Sequence, residues 1–131
     1  MSKKILVVAA MAMIGGAVNA QVDTVTKYGF TLRRVTITNE RTGKSLEGWG
    51  FINEGGVTVV VTDQNLADVQ EYSAKMVKLY IREHRTKDLA QIADQCLEYA
   101  TKREPEHPAF ANWFARSCYF AIVADLKRQG Y

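Results

Sequence analysis

The sequence predicts an α+β domain with its strands first and its helices after. Three observations carry that reading. Apolar and polar residues alternate with a period of two through much of residues 30–62. Two turn signals, NERTGK at 39–44 and NEGG at 53–56, cut that stretch into strand-sized pieces. From Asp63 onward apolar residues recur three and four apart, the spacing of one face of a helix. The expected architecture is an N-terminal three-stranded antiparallel meander within residues 21–62, followed by about three helices within residues 63–131.

In the first strand Phe30 and Leu32 alternate with polar neighbours, and Val35 and Ile37 then alternate in the opposite phase. The switch falls at Arg33 and Arg34. It predicts either a β-bulge there or a strand whose two ends face different ways. Gly43 closes the first turn, and a second strand covers residues 45–52. The third strand is VTVVVT at 57–62, with Val57, Val59 and Val61 on one face.

Leu66, Val69, Ser73, Met76, Val77 and Tyr80 make the first helical stripe, with Asp63 or Asn65 as its cap. Leu89, Ile92, Ala93, Cys96 and Ala100 make the second. At about 100° per residue the two stripes lie on nearly opposite sides of any single straight helix. Two helices need only one core, so a break is expected at residues 84–87, with Thr86 capping the second helix. EPEHP at 104–108 ends the second helix, because a residue before proline avoids the α region. Pro108 suits the first turn of a third helix, with His107 near its cap. That helix covers residues 109–129. Phe110, Trp113, Phe114, Ser117, Ala121 and Ala124 share a stripe, and Phe120, Ile122 and Val123 spread apolar character around it. Arg116 and Asp125 interrupt it, so it is no membrane span. Lys127 and Arg128 suit its C-terminus, and Gly130 ends it.

The N-terminus, MSKKILVVAAMAMIGGAVNAQ, has the layout of a secretory leader. Lys3 and Lys4 give a positive head, residues 5–14 an apolar run, and the small residues near Ala20 a cleavage site. The run is about half the ~20 residues that cross a bilayer as a helix. Cleavage after Ala20 is expected, which sends residues 21–131 to a bacterial periplasm, or beyond it, as a single small domain.

Export bears on Cys96 and Cys118, the two cysteines of the chain. In an oxidising compartment a lone pair is expected to close as a disulfide, here clamping the last two helices as a hairpin. A loop of that length stabilises by roughly 3 kcal/mol. Structural zinc needs four close ligands, and a redox pair reads C-x-x-C; neither pattern is present.

Basic residues number 17 against 14 acidic, a net charge of +3. Loss of Lys3 and Lys4 with the leader lowers the basic count to 15 and the net charge to +1. No basic stripe remains, which disfavours a nucleic-acid partner. The glycines of GWGFINEGG lie inside a strand and its turn, without the strand-to-helix spacing of a phosphate loop. They leave room for an aromatic from elsewhere or mark a bent strand. An exposed Trp49, with Phe51 beside it, would instead be a partner contact. His84 in REHR reads as a solvated hinge, or as a catalytic base. His107 beside Glu104 and Glu106 reads as a helix-capping corner, or as a weak metal site. Ser117 lacks the G-x-S-x-G elbow, and no H-E-x-x-H occurs. No cofactor or metal is expected. The leading expectation is a non-enzymatic periplasmic protein that binds another protein, as an inhibitor or immunity protein or as an accessory part of an envelope or secretion system. The alternatives are a small envelope hydrolase using His84 or His107, and a periplasmic stress chaperone.

Overall fold

A computed structural model of the chain describes residues 24–131. The leader expected at residues 1–20 and its cleavage point lie outside the described residues. Four antiparallel strands come first: β1 (Thr24–Lys27), β2 (Phe30–Thr38), β3 (Ser45–Ile52) and β4 (Thr58–Val61). They form one sheet in the order β1-β2-β3-β4. Three helices come next: α1 (Asp63–Glu83), α2 (Leu89–Arg103) and α3 (Pro108–Arg128). Residue contacts divide the molecule into two compact units, one ending at Asn65 and one running from Leu66 to Tyr131. No helix among the described residues is long and apolar enough to cross a membrane.

The sheet corrects the expected three-stranded meander, because β1 adds a fourth strand. It joins β2 through a two-residue turn, Tyr28 and Gly29, both at positive φ (53° and 84°). That is the backbone sign of a type I′ hairpin, whose twist matches the twist of its strands. Asparagine or glycine usually fills the first position. A tyrosine there costs about 1–2 kcal/mol, and it hid the turn from a reading by residue type. The Lys27 ammonium, 5.8 Å from the Tyr28 ring centroid, offsets part of that cost.

No bulge marks the phase switch in β2. Both ladders run one-to-one through Arg33, opposite Thr24 on one side and Gly50 on the other. Leu32 therefore lies on one face of the sheet and Val35 and Ile37 on the other, and all three are buried. Both later turns start from an asparagine. Asn39 Oδ1 accepts from the N–H groups of Arg41 and Thr42, and Asn53 Oδ1 from those of Gly55 and Val57. Gly43 and Gly56 supply the positive φ that closes them.

Helix α1 starts in a reciprocal cap. Thr62 Oγ1 accepts from the Asn65 N–H at 3.1 Å, and Asn65 Oδ1 accepts from the Thr62 N–H at 2.8 Å. Thr62, not Asp63 or Asn65, is thus the cap, with Asn65 in the role glutamate usually takes. The break after Glu83 falls where the opposed stripes required it. Thr86 closes the end of α1 by bonding Glu83 O, while Asp88 caps α2 in a box with Gln91. Pro108 opens α3, and Gly130 at φ 88° closes it in a Schellman turn, with Tyr131 N–H bonded to Leu126 O.

The disulfide is also corrected: Cys96 and Cys118 are free and buried. The Cys118 thiol lies 3.9 Å from Val69 O and donates to it. Apolar packing closes the α2–α3 hairpin without a clamp. Ile92, Cys96 and Ala100 are buried on α2, and Phe110, Trp113, Phe114, Cys118 and Ile122 on α3. Burial pushes the Cys96 thiol up to about 11, and burial above all pushes Cys118 up to about 12. Both stay protonated at neutral pH, and it is the thiolate that reacts.

Candidate functional site

Residues directly opposite in an antiparallel ladder point to the same face. Arg34 lies opposite Trp49, Trp49 opposite Val61, and Phe51 opposite Val59. Trp49 and Phe51 therefore share a face with Arg34, Val59 and Val61. The two valines are fully buried, whereas Trp49, Phe51 and Arg34 are half-buried.

The Trp49 ring is fixed from two directions. The Arg34 guanidinium carbon lies 4.7 Å from its centroid, and the indole Nε1 donates to Asp63 Oδ1 at 2.9 Å. Arg34 is held in turn, since its Nη1 donates to Glu47 Oε1 at 3.2 Å. Phe51 packs on Phe30 with centroids 4.9 Å apart. The glycine before the tryptophan has a separate cause. A Cβ at Gly48 would meet Val61 O at 2.9 Å and Val60 Cγ1 at 3.0 Å. The room that Gly48 leaves is filled by β4 itself and not by the expected aromatic.

The two histidines stand on different elements. His84 lies just past the end of α1, with Nδ1 3.1 Å from Ile81 O and the Tyr80 and Tyr131 rings 6.1 and 6.2 Å away. That is a helix-end contact. His107 precedes α3 without a side-chain cap bond, and its N–H bonds Glu104 O at 3.2 Å. Glu104 is buried, with Oε1 unpartnered. Among the described residues no three His, Cys, Asp or Glu side chains gather as a metal site. Ser117 is fully buried, and its hydroxyl bonds to nothing.

A second cluster carries no motif in the sequence. Tyr72 of α1 stacks on Tyr99 of α2 at 4.2 Å, and both rings meet Phe114 of α3. The Arg103 guanidinium lies 5.0 Å from the Phe114 centroid and pairs with Asp68. Burial works to lower the Arg103 pKa, and the bond to Asp68 outweighs it, so the net direction is upward. Burial first, and then the nearby Cys96 and Cys118, push Tyr72 up to about 12. The signal lay in two i,i+4 pairs, Asp68 with Tyr72 and Tyr99 with Arg103, each an aromatic beside a charge. This cluster ties three helices together.

No family model, no curated protein and no solved structure matches the chain.

Proposed function

We propose that the protein is exported to a bacterial periplasm and acts there without catalysis, by binding another protein. An inhibitor or immunity protein, or an accessory component of an envelope or secretion system, fits that description. The leader-like N-terminus, the near-neutral charge of residues 21–131 and the absence of a nucleophile or metal motif in the sequence support it. The observation that carries it is the half-buried Trp49 beside Arg34, held by Asp63 and Glu47. Tryptophan and arginine are enriched among the few residues that dominate binding energy at protein interfaces, and a side chain already fixed in place loses little entropy on binding. Phe51 and Phe30 extend the same face.

The test is capture of partners from the envelope fraction of the producing cells by the tagged protein, with bound species identified by mass spectrometry. A stoichiometric protein partner is expected, and Trp49→Ala should weaken its capture at least tenfold, the loss of about 1.4 kcal/mol or more that marks an interface anchor. A Trp49→Ala protein that folds and captures the partner as well as the parent would remove this face from the reading.

A further inference from the structure

We infer that the β1 edge pairs antiparallel with the β1 edge of a second copy, joining two four-stranded sheets into one. Among the described residues β1 ends the sheet, and Thr24, Thr26 and Lys27 are exposed there. Every residue of β4, at the other end, is buried. The two-residue turn fixes which backbone groups of β1 are spent on β2. Lys27 and Phe30 flank the turn, so they exchange both backbone hydrogen bonds. Bonded and non-bonded pairs then alternate, which makes Val25↔Leu32 the next bonded pair. The N–H and C=O groups of Thr24 and Thr26 belong to the non-bonded pairs and point away from β2, at the open edge.

That edge is complementary to itself. Place a two-fold axis perpendicular to the sheet at Val25. Thr24 then faces Thr26 of the second copy, and each such pair exchanges two N–H···O=C bonds. The valine meets its own copy on one face. On the other, the row that already joins Thr26 Oγ1 to Thr31 Oγ1 at 3.5 Å continues into Thr24 of the second copy. Threonine pairs across strands are favourable, and no like charges come opposite each other. Natural sheets blunt such edges with proline, bulges, inward charges, lysines or shortness. Thr24, Val25 and Thr26 carry no proline, bulge or charge, Lys27 lies outside the residues paired between the copies, and the shortness of β1 limits the strength of pairing. The joined sheet has eight strands, within the natural range of about 2–10. A four-residue edge is small, so the pair is a weak, reversible dimer. This inference does not use the Trp49 face.

Analytical ultracentrifugation of the protein isolated from its producing cells tests it, at concentrations from about 1 μM to about 1 mM, the span of weak to moderate association. The mass should double across that range. Thr24→Lys with Thr26→Lys opposes like charges at the edge and should leave a monomer throughout. Thr24→Lys with Thr26→Glu opposes unlike charges across the same register and should restore the dimer. Thr26→Pro removes one outward N–H and no bond to β2, and should dissociate the pair with an unchanged circular dichroism spectrum. A parent protein that stays monomeric to the top of the range, or a double-lysine variant that dimerises like the parent, would overturn the inference and leave the edge to a strand from another chain.

Discussion

At Gly48 the sheet has no room for one methyl group. A Cβ there would sit 2.9 Å from the carbonyl oxygen of Val61, a backbone atom that cannot rotate away. Gly48→Ala should therefore lower stability by about 1–3 kcal/mol, the usual cost of forcing an extra carbon into a packed site. Gly55→Ala is the comparison. Its nearest neighbour would be Asn53 Oδ1 at 3.6 Å, an ordinary contact, so stability should move by less than about 0.5 kcal/mol. Urea unfolding of the two variants measures the difference, and equal losses would remove the steric account. The sequence suggested that glycine beside Trp49 leaves room for an aromatic, and the neighbours at Gly48 are instead Val60 and Val61. It could not show that the occupant is β4, because that depends on a register set by both turns together. Tyr28 failed to signal its turn for the opposite reason: its residue type is wrong for the left-handed backbone it adopts.

Among the elements, the helices were more legible than the strands. The break between α1 and α2 arises from two stripes on opposite sides, and it needs neither glycine nor proline. The cap was misassigned because Thr86 comes first and is a good capping residue in isolation. Asp88 wins because Gln91 stands three positions on and can return a bond to the Asp88 N–H at 2.9 Å. Asp88→Ala removes the acceptor for the Gln91 N–H and should cost about 1 kcal/mol, within the range of about 0.5–2 for lost caps. Thr86→Ala should cost less, since that hydroxyl only shares Glu83 O with two backbone N–H groups. Thermal unfolding of both variants gives the order, and a larger loss at Thr86 would reverse the assignment. The pairing of Asp68 with Arg103 was illegible for a different reason. The residues lie 35 apart on separate helices, and only the packing of α1 on α2 brings them together.

At the scale of the whole molecule, burial in the helical unit raises the proton affinity of three groups: the buried Cys96 and Cys118 and the half-buried Tyr72. An oxidising compartment favours closing the thiols, whereas burial as neutral thiols suppresses the reactive form. With pKa values near 11 and 12, the folded thiols are ionised at pH 7 to fractions on the order of 10⁻⁴ and 10⁻⁵. A thiol reagent should therefore find almost no reactive group in the native protein and two after unfolding without reductant. No thiol after unfolding would mean a bridge, against this structure. The same burial sets a limit in alkali. Folding raises the two thiols from their ordinary value of 9.0 and Tyr72 from 10.0, so the folded state holds protons that the unfolded chain has released. The unfolded state binds fewer protons in that window, and stability must fall as pH rises. The stabilising contribution is complete below about pH 9 and is lost progressively between about pH 9 and 12. Each group can steepen the fall by up to about 1.4 kcal/mol per pH unit. Replacing both cysteines by alanine lowers stability at pH 7 through lost packing but removes two of the three proton-linked groups. Unfolding free energies measured in urea from about pH 8 to about pH 11 should thus decline less steeply for Cys96→Ala with Cys118→Ala than for the parent. Parallel lines for the two proteins would show that the buried thiols do not govern the alkaline limit.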